Sequence, residues 1–217
     1  MSIEKAYNSW AGQYDTNKNK TRDLDTKATI ETLSNYEFKY VLELGCGTGK
    51  NTGWLLSKAA QVIGLDFSQE MLHIAKEKIT DSRAEFKRAD LNKAWEIENQ
   101  FADLVTSSLT LEHIEDLNPI FNQANQKLKG NGLFFISELH PFKQYAGSKA
   151  SFETERGLEE LTVFTHHISD YIDSAENNDF ELLEINEWFD DNSKKEIPRL
   201  ISFVFRKKNQ CQSWCWL

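Results

Sequence analysis

The stretch KYVLELGCGTGKNTGWLL, Lys39 to Leu56, constrains the fold more than any other part of the chain. Lys39 to Leu44 is short and nearly continuously apolar, the pattern of a buried strand. Gly45, Gly47 and Gly49 end it, and from Thr52 to Ala60 the residues Trp54, Leu55, Leu56 and Ala59 share one helical face. A strand joined to a helix by a tight glycine turn is the opening of a βαβ unit.

The unit repeats. Gln61 to Leu65 reads as a second strand, closed by Asp66. Ser68 is placed to cap a helix whose stripe is Met71, Leu72, Ala75 and Ile79. Ala84 to Ala89 reads as a third strand, ended by Asp90, and Ala102 to Ser107 as a fourth. Pro119 opens a helix through Ile120, Phe121, Ala124 and Leu128, which Gly130-Asn131-Gly132 is expected to stop. Leu133 to Ser137 reads as strand five. Strands of this character alternating with helices imply an α/β fold with a parallel sheet covered on both faces. Phe180 to Trp188 and Leu200 to Phe205 are two further strand-like runs without a helix between them, which predicts an antiparallel hairpin at the sheet edge. Pro141 to Asp179 reads as a cap inserted after strand five, helical from Ile168 to Ala175. The expected architecture is a Rossmann-like, doubly wound, mostly parallel seven-stranded sheet. One domain is expected over 1–208, with covering helices in 1–36, the cap in 141–179 and a tail at 209–217.

A formal net charge of −9 disfavours a nucleic-acid backbone as partner, and it makes an acidic carrier protein a less natural one. No apolar run approaches the eighteen or so residues of a membrane span, and the polar, aromatic N-terminus has no signal-peptide core. The three cysteines, Cys46, Cys211 and Cys215, lie in no zinc-type cluster. No metal is expected, and a reducing, cytoplasmic setting fits best.

Three ligand loops resemble the glycine run. A triphosphate loop requires G-x-x-x-x-G-K-[ST]; here Asn51 follows Gly49-Lys50, and Leu44 stands five residues before Gly49. A dinucleotide loop requires G-x-G-x-x-G, and Lys50 occupies its third glycine position. The pattern E-x-G-x-G-x-G matches throughout, at Glu43, Gly45, Gly47 and Gly49. It suits a backbone that passes close to a bulky zwitterion, where a Cβ would collide. A plain tight turn is the alternative. Two spaced acids weigh against that alternative. Asp66 can accept both ribose hydroxyls of an adenosyl group; Asp90 can accept from the adenine amino group, with the Leu91 N–H donating to the ring.

These features resemble the class I S-adenosylmethionine-dependent methyltransferases, and most closely their small-molecule subgroup of ubiquinone/menaquinone- and biotin-pathway-type enzymes. The resemblance runs from about Ala6 to Phe205 and is carried by AYNSWAGQYD, VLELGCGTGKNT, GLDFSQEML, FKRADLN, ADLVTSSLTLEHIEDL and GLFFISELHPF. It implies S-adenosyl-L-methionine as cofactor and methyl transfer to a small organic acceptor. Glu43, Gly45, Cys46, Gly47 and Gly49 would line its methionine and ribose part, and Phe67 and Met71 its adenine. Ser107 would offer a carbonyl to its ammonium. Tyr7, Trp10 and Tyr14 match the segment that closes over the site, with Tyr14 assigned to the cofactor and Tyr7 and Trp10 to the acceptor.

Transfer from a sulfonium requires an acceptor held in line, exclusion of water and, for some acceptors, a base. His140 and His113 are the first candidates for that base or for positioning the acceptor, and Glu138 is a further one. Tyr145, Phe152 and Phe164 could form an aromatic acceptor pocket with His166 or His167. Two other functions remain open at this point: a nicotinamide-dependent oxidoreductase, and a non-catalytic adenosylmethionine-binding protein. The tail CQSWCWL has no assigned role, and either a monomer or a homodimer is compatible.

Overall fold

The computed structural model describes residues 3–16, 18–147, 151–154, 157–160, 163–190 and 197–209. Two helices lead: α1 (Ile3–Tyr14) and α2 (Lys20–Leu33). There follow β1 (Tyr40–Leu44), α3 (Thr52–Lys58), β2 (Gln61–Asp66), α4 (Gln69–Lys78), β3 (Ala84–Arg88) and β4 (Ala102–Ser108). A single 3-10 turn (Leu111–His113) precedes α5 (Asn118–Lys127), β5 (Leu128–Leu139) and the short α6 (Pro141–Tyr145). The chain continues through β6 (Ser151–Thr154), β7 (Gly157–Glu160), α7 (Ile168–Asn177), β8 (Phe180–Trp188) and β9 (Leu200–Lys207).

Seven strands form one sheet in the order β3-β2-β1-β4-β5-β9-β8. β9 runs antiparallel to both β5 and β8, and the other neighbours in the sheet are parallel, as the sequence pattern implies. β6 and β7 form a separate two-stranded antiparallel pair in the cap, a hairpin that the polar sequence there did not signal.

The sheet is covered on both faces, which is why β1 is apolar at nearly every position. Leu42, Leu44, Ile63, Leu65, Val105, Phe134 and Ile136 pack with Ile120, Phe121 and Ala124 of α5 and with Tyr171 and Ala175 of α7. Val41, Val62, Leu104, Phe135 and Val204 point the other way, against Leu33 of α2 and Leu55 and Leu56 of α3. The glycines after α5 behave differently from expectation. The helix ends at Lys127, and Leu128 already pairs with Ala102; the next pair is Leu104 with Leu133. Residues 129–132 are therefore a bulge inside β5, where Asn131 has φ 61°.

All five parallel strands end on one edge. The order reverses between β1 and β4, which opens a crevice beyond their carboxyl ends. Phe121 anchors the face below, with ring centroids 5.1 Å from Phe134, 5.6 Å from Phe205 and 5.9 Å from Phe180. Phe121→Ala is expected to lower folding stability by about 3–5 kcal/mol, measured by urea denaturation, because the rigid sheet above cannot collapse into the void.

Candidate active site

The crevice holds a cavity of about 130 Å³. The ends of β1, β2, β3 and β4 wall it with Gly45, Gly47, Asp66, Phe67, Asp90, Leu91 and Ser108, and Met71 adds to it from α4. A smaller cavity of about 40 Å³ lies on the other side of the glycine loop. Tyr14, Gly45, Gly47, Ser108 and Leu109 border both, so the two are halves of one elongated site.

The loop is set by contacts at each glycine. Gly45 has φ 64°, and a Cβ there would stand 2.1 Å from Thr110 Oγ1, so the backbone is pressed against the turn after β4. Gly47 has φ 53°, and a Cβ there would meet no atom within 4 Å. It borders both cavities, so its missing side chain is space left for a ligand. Gly49 lines neither cavity; a Cβ there would meet Ile79 at 2.7 Å, so its bareness serves loop–helix packing. Cys46 borders the smaller cavity, is buried against Gly64 of β2, and has its N–H bonded to the Leu65 carbonyl at 3.0 Å. Burial pushes its thiol pKa up, away from reactivity.

Asp66 holds the pieces together. Its Oδ2 accepts from the Gly47 N–H at 2.9 Å and its Oδ1 from the Ser68 N–H at 2.8 Å. Burial pushes its pKa up to about 6 against the pull of those donors. Glu43 lines the smaller cavity and accepts from the Thr52 hydroxyl at 2.5 Å, which ties β1 to the start of α3. Burial, with Asp25 and Asp66 nearby, pushes its pKa up to about 8. Asp90 is half-exposed, accepts from the Asn92 N–H at 3.0 Å and pairs with Lys93 at 3.2 Å.

α1 lies across the larger cavity and places Ile3, Tyr7 and Tyr14 on its wall. It is strapped down at both ends. Glu4 pairs with Arg88 at 2.6 Å, Asn8 accepts from Ser68 at 2.7 Å, and Asp15 accepts from Thr48 at 2.8 Å while pairing with Lys78 at 2.7 Å. The Tyr7 hydroxyl meets Nε2 of His113, also on the wall, at 2.8 Å. Burial and the surrounding carboxylates keep Tyr7 protonated. Trp10 does not line either cavity; its ring packs edge-on against Tyr14 at 4.8 Å.

Several candidates from the sequence lie elsewhere. His140 is buried away from both cavities; its Nδ1 accepts from the Phe142 N–H and caps α6, and its Nε2 meets Glu187 of β8 at 3.1 Å. His166 is buried as a staple, with Nε2 donating to the carbonyls of Ile114 at 2.7 Å and Leu111 at 3.2 Å. His167 precedes α7 and bonds the Tyr145 hydroxyl, on an exposed aromatic group with Phe142. Ser107 is buried within β4, and it is Ser108, one residue on, that reaches both cavities. Phe164 bonds the turn through its backbone, its N–H donating to the Glu112 carbonyl at 2.7 Å. The side chain of Phe152 and the tail cysteines and tryptophans lie outside the described residues.

The smaller cavity brings in residues that the motifs did not reveal. Arg22 and Asp25 come from α2, and Lys50 and Asn51 from the loop before α3. Lys50 lies ahead of the helix and donates to the Arg22 carbonyl. Asp25 is 2% exposed, accepts from Asn51 at 3.2 Å, and its Oδ1 has no partner among the described residues. The signal was faint: α2 buries Arg22, Asp25, Thr29 and Thr32, a polar stripe at helical spacing where a core helix would be apolar.

The chain is similar to known methyltransferases in both sequence and fold. A family profile described as a methyltransferase domain matches residues 42–136. Over these residues the chain is similar to a methyltransferase domain. The chain is 28% identical to the malonyl-[acyl-carrier protein] O-methyltransferase of Bacillus cytotoxicus, over 76% of this chain and 58% of that one. The chain spans about half the length of the first curated relatives it matches. Among solved structures, an S-adenosylmethionine-dependent methyltransferase from Clostridium acetobutylicum superposes with a TM-score of 0.69 at 20% identity, covering 94% of this chain and 100% of that one. A DhpI complex with S-adenosylhomocysteine superposes with a TM-score of 0.75 at 18% identity, covering 95% of each. At these identities the superpositions establish a shared fold.

Five buried acids near this site have folded-state pKa values raised above their ordinary ones by burial: Asp25, Asp66 to about 6, Glu112 to about 7, and Glu43 and Glu138 to about 8. The folded state therefore binds more protons than the unfolded state between those ordinary values and the raised ones. The contribution of these acids to stability is fully present below their unfolded values and declines as pH rises to the folded ones. The ligand-free protein is expected to show a lower urea midpoint at pH 8.5 than at pH 5.5. Glu43→Gln is expected to flatten that decline, and an equal slope in the variant would contradict the placement of Glu43.

Proposed function

We propose that this protein transfers the methyl group of S-adenosyl-L-methionine to a small organic acceptor. The observation that carries the reading is the junction of Asp66 with the glycine loop: a buried carboxylate on the cavity wall, bonded to the N–H of a glycine whose Cβ position is empty space. That combination fits an adenosyl zwitterion. Asp66 would hold the ribose hydroxyls, and Asp90 with the Leu91 N–H would hold the adenine edge, against Phe67 and Met71. Asp25, with Arg22 and Lys50 beside it, offers opposite charges to an amino-acid end in the smaller cavity, next to Glu43 and Gly45. When bound, the sulfonium supplies an already activated methyl group.

The rest of the work falls to the protein. Tyr7 and Tyr14 of α1 close the cavity and keep water from it. His113 stands at the wall with Tyr7 on its Nε2, placed to position the acceptor or relay a proton from it. His140, with both nitrogens engaged away from the cavity, has no such part. A covered cavity of this size suits a small acceptor better than a nucleic acid. No helix among the described residues is long and apolar enough to cross a membrane, and the cysteine usage supports a cytoplasmic setting.

Calorimetric titration with S-adenosylhomocysteine tests the site. Wild-type protein is expected to bind it and to ignore NAD. Asp66→Ala should weaken binding by about tenfold or more, because charge-assisted bonds to both hydroxyls are lost. Unchanged affinity in that variant would remove Asp66 from the site. Transfer of a labelled methyl group into a small-molecule extract tests catalysis, and its absence beside intact binding would favour a non-catalytic role.

A further inference from the structure

Three buried oxygens around the smaller cavity have no partner among the described residues: Oδ1 of Asp25, Oδ1 of Asn51 and the hydroxyl of Thr106. All three residues line that cavity of about 40 Å³, and Asn51 and Thr106 are 8% and 4% exposed. The surroundings fix what each oxygen can do. Asn51 donates through Nδ2 to Oδ2 of Asp25 at 3.2 Å, so its Oδ1 is an acceptor only. Thr106 stands two positions after Leu104 in β4, which puts its side chain on the face that α2 covers. The hydroxyls of Ser108 and Ser137 stand near Asp25 without closing a bond to Oδ1. The cations of the cavity turn to backbone oxygens: Lys50 donates to the Arg22 carbonyl, and Arg22 to the Tyr14 carbonyl. Glu43, the acid of the glycine motif, accepts from the Thr52 hydroxyl at 2.5 Å, and burial raises its pKa to about 8, so it is neutral near pH 7.

Buried polar atoms are nearly always bonded. Three orphaned oxygens on the wall of one small cavity mark a place where a ligand supplies the missing donors. The number and the charge identify the donor. Two of the oxygens only accept, the third can accept, and one belongs to a carboxylate. A water molecule has two hydrogens and would leave one oxygen bare; a carboxylate or phosphate brings no donor. A primary ammonium brings three N–H donors and the opposite charge. We propose that Asp25, Asn51 and Thr106 seat the α-ammonium group of the methyl donor. This rests on the methyltransferase reading above and deepens it in two ways. The charged contact moves from the motif acid Glu43 to Asp25 of α2, which lies outside the residues 42–136 that match the methyltransferase profile. The smaller cavity also becomes the part of the site that selects a ligand with a free amino group.

The test is calorimetric titration with two ligands: S-adenosylhomocysteine, and its deaminated analogue 5′-(3-carboxypropylthio)-5′-deoxyadenosine. Wild-type protein is expected to prefer S-adenosylhomocysteine by about tenfold or more. Asp25→Asn and Thr106→Val keep the shape of each side chain. They should weaken S-adenosylhomocysteine binding by about tenfold and about threefold respectively, because one removes a charged acceptor and the other a neutral one. Neither should change the affinity of the deaminated analogue, which reports that each variant is folded and that the adenosyl part of the site is intact. Equal affinity of the two ligands for wild-type protein, a preference undiminished in both variants, or equal weakening of both ligands overturns the proposal. Failure of wild-type protein to bind S-adenosylhomocysteine instead overturns the reading beneath it.

Discussion

The grip of Asp66 on the glycine loop is the contact on which the site depends. One buried carboxylate ties the N–H of Gly47, after β1, to the N–H of Ser68, at the start of α4. It thereby fixes the spacing of two strand ends, and with it the width of the crevice. Gly64 makes the approach possible, since a Cβ there would stand 2.8 Å from the Cys46 sulfur. The loop could not seat on β2 with any larger residue at that position. Burial raises the pKa of this carboxylate, so the contact stores an electrostatic cost that a ligand donating hydrogen bonds would relieve.

The same reasoning extends along the strand ends. Glu43, Asp25, Glu138 and Glu112 are all buried, and burial disfavours the charge on each. Charged groups in the core of a soluble protein are ordinarily paired. Among the described residues that line the two cavities, the cations Arg22 and Lys50 border only the smaller one. The site is graded along its length, with both signs at one end and acid alone at the other. That gradient gives the cavity a direction, as the proposed zwitterionic cofactor and separate acceptor would require.

The helices of 3–33 act on this site from outside the sheet. α1 is held by side-chain contacts to the ends of β3, α4 and the glycine loop, by the Tyr7 ring against Phe67 at 5.8 Å, by Arg22 of α2 over the Trp10 and Tyr14 rings, and by buried Ala6 and Ala11. The ion pairs on its exposed side contribute on the order of 1 kcal/mol or less each, so the aromatic contacts over the cavity carry much of its hold.

The order of strands and helices was legible in the sequence because each strand is buried on both faces and each turn carries glycine or an acid. Gly45, Gly47, Asp66, Phe67, Met71, Asp90 and Leu91 were legible for a related reason: they follow strands at fixed offsets, and parallel strands of one sheet all end on one edge. Residues whose role depends on contacts between distant segments were not legible. Arg22 and Asp25 meet the loop only because α2 packs beneath it, and the bulge at 129–132 arises only because Leu128 finds Ala102. His140 and His166 look like catalytic candidates by residue type, yet the fold spends them on a helix cap and a turn staple. By itself the sequence determined the sheet, its crevice and the residues at the strand ends, since local periodicity and turn chemistry suffice for these. Only the tertiary structure decided which polar side chains are left without partners, because that depends on every neighbour at once.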